Sequence, residues 1–336
     1  MVTGVATDLD WLRHPRLTVV RVPALIKDAT GAYCNPHLSF EEALTARRDI
    51  LEGLVRSFQP HAFVIDRHPY GVAGELRAAV ELAHSAGTAV ILGLRDILDE
   101  PDVIATELAG DGWADVGDLF DEVLVYGGRD VCDHVMEYGL PIEPTYCGWV
   151  TERTRVTRRD PRLVVVTGGG GADAEHLYRL VIDTAQLLNA RRVAAGHARR
   201  FLVVAGPYAS SFDARVRRLR IVRSVKGCAA LYARSGAVVQ MAGYNSAFES
   251  LGAGVRPILL PRRAPRREQA IRASRLTALG LADMIDDAST AGELAWLLGQ
   301  DRRLDHTALA AAGISLDGAA TAAHAIATHS SVRARS

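Results

Sequence analysis

The chain has 336 residues, more than one ordinary hydrophobic core holds, and suits two domains of about 150 residues each. Its 39 Lys and Arg residues balance 39 Asp and Glu residues, so no net positive field favours binding to a nucleic-acid backbone. Apolar residues make up 49% of the sequence, which excludes the disordered and fibrous classes.

The four cysteines, Cys34, Cys132, Cys147 and Cys228, are widely spaced and form no C-x-x-C pair. They therefore predict neither a disulfide framework nor a zinc site. No signal peptide is predicted, and the longest apolar runs, such as Leu163–Val166, are far too short to cross a bilayer. We therefore predict a cytoplasmic protein.

Short β-branched apolar runs alternate with amphipathic stretches along the chain. The predicted strands are Leu17–Val22, Ala62–Asp66, Ala89–Leu94, Val123–Tyr126, Leu163–Thr167, Phe201–Ala205, Ala237–Gln240 and Pro257–Leu260. The predicted helices are Phe40–Phe58, Glu75–Ala86, Ala174–Leu188, Ser246–Leu251 and Glu268–Leu279. Continuous apolar strands are typical of sheets covered on both faces, so the pattern predicts an α/β fold with parallel, doubly wound sheets.

The polar, Arg- and Thr-rich stretch Gly148–Pro161 separates the two sets of strands. It predicts a boundary between two similar Rossmann-like domains, residues 1–150 and 151–330. Ligands of open α/β sheets bind beyond the carboxyl ends of the strands, so a cleft between the two domains is the predicted site.

A glycine-rich loop, Gly168–Gly171, follows a predicted strand and precedes a predicted helix. Glycines let a phosphate approach the backbone, and a helix start offers free N–H groups, so the loop is a candidate diphosphate site. A tight turn without a ligand explains the same pattern. The Lys of a P-loop is missing, and the third glycine of the dinucleotide fingerprint is replaced by Asp173, so NAD binding is disfavoured.

The segment from Met241 to Leu281 carries more chemistry. A glycine turn at Gly243 precedes a helix that we expect to start near Asn245 or Ser246, with Glu249 about one turn inside it. A carboxylate near a helix start can bind both hydroxyls of a ribose. A favourable first-turn charge is the ordinary alternative for Glu249.

Taken together, these residues resemble the donor-binding signature of family 28-type glycosyltransferases of the GT-B architecture, which include the N-acetylglucosaminyltransferase that forms lipid II. The closer resemblance is to bacterial predicted glycosyltransferases with the same C-terminal domain, which carry G-Y-N-T/S-x-x-E-x-L-A-A-G followed by P-R and R-x-E-Q. The similar segments here are Gly243–Gly254, Pro261–Arg262, Arg266–Gln269, Gly206–Tyr208, Val64–Leu76 and Ile91–Pro101.

The resemblance implies that the first domain binds an acceptor and the second a nucleoside-diphosphate sugar, with UDP favoured. It also implies transfer of a hexosyl group with inversion and without a metal or cofactor. Glu249 is then the ribose ligand. The other implied donor contacts are Gly168, Gly169, Gly170, Arg223, Gly243, Asn245, Ser246, Glu268 and Gln269.

The candidates for the catalytic base lie at strand ends of the first domain: Asp66, His68 and Asp96, with Arg95 as a ligand for an acceptor anion. Helix capping and an ordinary loop position are the alternatives for these residues. The similar sequences begin with a strand and a G-x-G-H-x-x-R loop, whereas this one matches them only from Val2–Gly4. We therefore expect either that the start of this sequence is set too late, which we favour, or that the first domain is truncated and lacks that unit. If the histidine of the unit is the base, none of the three candidates is the principal base.

Two other functions stay open. An epimerase of the same architecture would consume a sugar nucleotide without an acceptor, and a non-catalytic binding protein would bind a sugar nucleotide without turnover.

Overall fold

A computed structural model of the chain describes residues 1–5, 14–27, 32–152, 154, 158–171, 173–190, 198–207, 209, 215–225 and 227–333. The strands are β1 (Val2–Thr3), β2 (Val20–Arg21), β3 (Ile26–Lys27), β4 (Tyr33–Cys34), β5 (Ala62–Asp66), β6 (Ala89–Arg95), β7 (Glu122–Tyr126), β8 (Thr145–Tyr146), β9 (Asp160–Thr167), β10 (Arg200–Val204), β11 (Leu219–Val222), β12 (Ser235–Gln240), β13 (Ile258–Leu259) and β14 (Asp283–Met284).

The helices are α1 (Phe40–Phe58), α2 (Arg77–Ser85), α3 (Pro101–Leu108), α4 (Val116–Leu119), α5 (His134–Tyr138), α6 (Glu175–Ala190), α7 (Ala229–Arg234), α8 (Tyr244–Gly252), α9 (Glu268–Ala278), α10 (Ala291–Gly299), α11 (His306–Ala311) and α12 (Gly318–Arg333). Local chemistry explains the limits of α1, because Ser39 and Glu42 form a reciprocal capping box at its start. None of the helices in the described ranges combines the length and the apolar character needed to span a membrane.

The larger sheet is parallel throughout and lies in the second half of the chain. Its strand order is β11-β10-β9-β12-β13-β14, which reverses between β9 and β12. This is the Rossmann order, in which ligands bind outside the carboxyl ends of the two strands at the reversal. Thr167 of β9 pairs with Gln240 of β12, so these two ends are level. The predicted parallel α/β architecture is confirmed.

The smaller sheet is also parallel, with β5, β6, β7 and β8 side by side in chain order. Alternate residues of β6 point to opposite faces: Val90 and Leu92 pack in the core with α1 and α2, whereas Ile91 packs with Leu124 and with Ala322 of α12. Helices therefore cover both faces. The predicted strand Leu17–Val22 is shorter than expected, because only β2 within it pairs, and it pairs with β1 outside this sheet.

The last helix, α12, lies against β5, β6 and β7, although the predicted division places its residues in the second domain. The second half of the chain therefore returns to cover the first sheet. For the rest of the chain the division near residue 150 stays a prediction.

The junction between the two sheets is packed. Trp149 is fully buried and stacks on Phe248 of α8 with ring centroids 4.7 Å apart. The N–H of Val150 donates to the hydroxyl of Tyr244 at 2.9 Å. Three arginines on or next to α9 pair with carboxylates of the first half: Arg267 with Glu100, Arg272 with Asp96, and Arg275 with Glu137. One continuous hydrophobic core spans both halves.

Candidate functional site

The glycine loop lies beyond the end of β9, at the reversal of strand order. Gly168 is buried, and a Cβ there would lie only 2.0 Å from the hydroxyl oxygen of Tyr178. That hydroxyl donates a hydrogen bond of 2.5 Å to the carbonyl of Ala205, in the next loop. Gly168 is therefore required for packing between the two loops. Gly169, with φ +61°, and Gly170 are exposed, so they are the glycines that a ligand can reach.

The start of α8 lies beyond the end of β12, on the other side of the reversal. The helix begins at Tyr244 with Gly243 as its N-cap, two or three residues earlier than caps at Asn245 or Ser246 would place it. Gly243 makes no side-chain cap hydrogen bond, and a Cβ built on it would meet no atom within 4 Å. Free N–H groups and the positive end of the helix dipole thus face open space, which suits a phosphate.

Glu249 lies on α8 and is partly buried. Burial raises the pKa of its carboxyl, and the nearby negative charge of Glu152 raises it further. Next to it, the hydroxyl of Tyr232 hydrogen-bonds that of Thr167 at 2.9 Å. The predicted ribose ligand therefore lies beside the level ends of β9 and β12.

Glu268 and Gln269 open α9 and contact Arg262. The guanidinium of Arg262 pairs with Glu268 at 2.8 Å and with Asp173, after the glycine loop, at 2.9 Å, while its backbone N–H donates to Gln269. The second carboxylate oxygen of Glu268 is buried, and no residue of the described chain hydrogen-bonds it. Glu268 thus retains a free acceptor for a ligand hydroxyl.

Arg223 is exposed and donates to the carbonyl of Pro207 at 3.0 Å. The adjacent Gly206, with φ +91°, packs directly on the backbone of Gly169 and Gly170, because a Cβ there would lie 2.5 Å from the Gly169 carbonyl oxygen. Arg223 therefore contacts the loop that supports the glycine loop. Tyr208, the last residue of the G-P-Y turn, lies outside the described residues.

A cleft of about 350 Å³ separates the two halves. From the predicted site it brings together Arg95, Gly243, Glu268 and Gln269, without Asp66, His68 or Asp96. It is also lined by residues to which the sequence analysis assigned no role in the site: Arg67, Ile97, Leu98, Tyr244, Arg262, Arg266 and Arg272.

The geometry contradicts the role predicted for Asp96. Its side chain is fully buried, and its two oxygens accept hydrogen bonds from Arg272 at 2.7 and 2.9 Å. The indole N–H of Trp149 and the backbone N–H of Ile97 donate to the same carboxylate at 3.1 and 2.8 Å. A carboxylate with all its lone pairs engaged and no access to a substrate cannot serve as a base, so Asp96 is a structural anion.

His68 is in a different environment. Its Nδ1 lies 3.6 Å from Glu107 of α3, which also receives two hydrogen bonds from Arg67. These two neighbours, His68 foremost, lower the pKa of Glu107 to about 2 against the opposing effect of burial. Arg67 lines the cleft and has a left-handed φ of 70°, a conformation that concentrates at functional sites. His68 thus has a permanent carboxylate partner and directly follows a residue that lines the cleft.

Asp66 ends β5 with an exposed side chain. Its charge adds to burial in raising the pKa of Tyr126 on β7, which lies beyond β6 in the same sheet. Within the described chain the Asp66 carboxylate forms no ion pair, whereas His68 has Glu107 as its partner.

No known protein-family profile matches the sequence, and a search of curated proteins also gives no match. Solved structures do match. MurG from Acinetobacter baumannii has a TM-score of 0.53 and 14% identity over 89% of this chain and 80% of its own. The glycosyltransferase SnogD from Streptomyces nogalater has a TM-score of 0.55 and 16% identity over 93% of this chain and 86% of its own. UGT89C1 from Arabidopsis thaliana, complexed with UDP-L-rhamnose, has a TM-score of 0.58 and 14% identity over 96% of this chain and 87% of its own. The chain has the GT-B fold of these proteins, with two Rossmann-like sheets on either side of a cleft.

Proposed function

We propose that this protein is a glycosyltransferase that moves a hexosyl group from a nucleoside-diphosphate sugar to a hydroxyl acceptor. The observation that carries the proposal is the open, uncapped start of α8 at the strand-order reversal, with Glu249 on the same helix. The GT-B neighbours support it, and one of them was solved with UDP-L-rhamnose. The resemblance to family 28-type enzymes, a UDP-sugar donor and a cytoplasmic location belong to the same proposal.

The donor would lie across the reversal. Its ribose hydroxyls would donate to Glu249, its diphosphate would accept from the N–H groups after Gly243, and its sugar would contact Glu268 and Gln269. The dipole of α8 would stabilise the negative charge that develops on the departing diphosphate, so the reaction needs no metal.

The acceptor hydroxyl needs a base, and we assign this role to His68. Glu107 is ionised over the whole pH range in which the enzyme would be assayed, so its negative charge, 3.6 Å from Nδ1 of His68, orients the imidazole and stabilises the imidazolium that forms. Attack on the face of the anomeric carbon opposite the diphosphate would invert its configuration.

The first test measures thermal stabilisation by UDP, GDP, dTDP and NAD, for the wild type and Glu249→Gln. A nucleoside diphosphate at about 100 times its Kd should stabilise the wild type by about 2.7 kcal/mol. Because folding raises the pKa of Glu249, its ionised form destabilises the folded state above the ordinary glutamate pKa of about 4.3. Glu249→Gln should therefore remain as stable as the wild type at neutral pH and lose the ligand response.

Three results would count against this proposal. A shift with NAD alone would indicate a dinucleotide site, and an unchanged response in Glu249→Gln would remove the ribose assignment. Consumption of the sugar nucleotide at the same rate with and without acceptors would favour the epimerase.

Two glycine variants separate packing from ligand contact. Gly168→Ala forces a Cβ against Tyr178 and should lower the free energy of unfolding by about 1–3 kcal/mol. Gly243→Ala has room and an ordinary φ of −65°, so it should leave stability unchanged and weaken nucleoside-diphosphate binding, because its methyl group occupies the space at the helix start. Urea unfolding and calorimetric titration measure the two effects. Unchanged binding in Gly243→Ala would place the diphosphate elsewhere.

A further inference from the structure

The cleft contains two cationic side chains that form no ion pair within the described part of the chain. Three of the arginines that line it are neutralised by carboxylates: Arg67 by Glu107, Arg262 by Asp173 and Glu268, and Arg272 by Asp96. Arg95 and Arg266 form no ion pair with any residue of the described ranges. Two positive charges are therefore left uncompensated in a space of about 350 Å³.

These two arginines come from opposite walls. Arg95 is the last residue of β6 and is exposed, whereas Arg266 precedes α9 and is half-buried. Like charges that share a cavity repel each other, and an anion between them removes that repulsion. The planar guanidinium group binds phosphate or carboxylate through two parallel hydrogen bonds, and two such groups in one cleft suit a shared anionic group.

The pair shares the cleft with only part of the proposed donor site. Gly243, Glu268 and Gln269 line the cleft, whereas Gly169, Ser246 and Glu249 do not, so the donor would enter it with its sugar and, at the start of α8, with its phosphates. Arg95 lies on the wall formed by the first sheet. We propose, on the basis of the transferase function above, that Arg95 and Arg266 bind a phosphate or carboxylate group of the acceptor, next to the hydroxyl that receives the sugar.

The test is a calorimetric titration. The protein is first saturated with the nucleoside diphosphate that it binds, and inorganic phosphate is then added. The variants are Arg95→Ala and Arg266→Ala. The matched control is Arg263→Ala, an exposed arginine of the same loop that lies outside this cleft. We expect phosphate to bind the nucleotide-saturated wild type and the control equally, and each cleft variant about tenfold more weakly. The affinity for the nucleoside diphosphate should not change in any of them.

The titrations distinguish an anionic group of the acceptor from the phosphates of the donor. If Arg95→Ala and Arg266→Ala weaken nucleoside-diphosphate binding, and phosphate does not bind the saturated wild type, the arginines bind the donor and the acceptor assignment is wrong. Equal phosphate binding by all variants would overturn the anion site while leaving the transferase proposal intact. Failure of the wild type to bind any nucleoside diphosphate would contradict the transferase proposal, a result that the nucleotide titration gives before phosphate is added.

Discussion

Replacement of Asp96 by alanine is expected to lower the free energy of unfolding by about 3–5 kcal/mol, because it leaves the guanidinium of Arg272 buried without its counter-ion. Burial opposes the charge of Arg272, yet Asp96 raises its pKa. The same change removes the acceptor for the indole N–H of Trp149, at the junction of the two halves. Urea unfolding followed by fluorescence and by circular dichroism measures the loss.

Two further variants isolate the contribution of the ion pair. Asp96→Ala combined with Arg272→Met removes both charges and should recover part of the stability, since an apolar pair avoids the unpaired buried charge. Glu137→Ala breaks the pair with Arg275, whose side chains are 27% and 29% exposed, and should cost at most about 1 kcal/mol. If Asp96→Ala costs no more than Glu137→Ala, the buried pair has no special role in joining the halves.

Replacement of His68 by alanine is expected to lower kcat by about 10²–10⁴-fold, the usual contribution of a positioned general base. The affinity for the nucleoside diphosphate should stay unchanged, because the imidazole lies outside the donor contacts, and the free energy of unfolding should fall by at most about 1 kcal/mol, because the pair with Glu107 is partly exposed. The rate is measured as nucleoside diphosphate released from the preferred donor against a panel of hydroxyl acceptors.

The matched control is His61→Ala, an exposed histidine just before the opposite end of the same strand, which should not change the rate. Glu107→Gln should lower kcat in the wild type and have no further effect in His68→Ala, because a positioning residue acts only through the group that it holds. A reduced rate from Glu107→Gln in both backgrounds would show a structural role for Glu107, and an unchanged kcat in His68→Ala would exclude His68 as the base.

The sequence was sufficient for the main elements of the fold. Helix α1 has the predicted limits because Ser39 and Glu42 define its start locally, and β5 matches because its apolar run is continuous. Short strands such as β8 and β14 were missed, since two residues carry no periodic signal. The position of α12 could not be predicted, because its Ala-rich sequence has no distinct apolar face to indicate which sheet it covers.

The candidate site was predicted only in part. Gly243 and Glu268 were identifiable because their motif is continuous in sequence. The partner of Asp96 is Arg272, on the other half of the chain, and the partner of His68 is Glu107, on another helix. Pairs that distant leave no spacing pattern, so the position of Asp96 at a strand end suggested a base where the fold has a buried ion pair.

The return of α12 to the first sheet determines how this chain can be recombined. A hybrid made with another GT-B protein by one exchange near residue 150 would place a foreign terminal helix against Ile91 and Leu124, which pack on Ala322 here. The exchangeable unit is discontinuous: the strands of the first half and the last helix must come from the same parent, and the segment between them from the other.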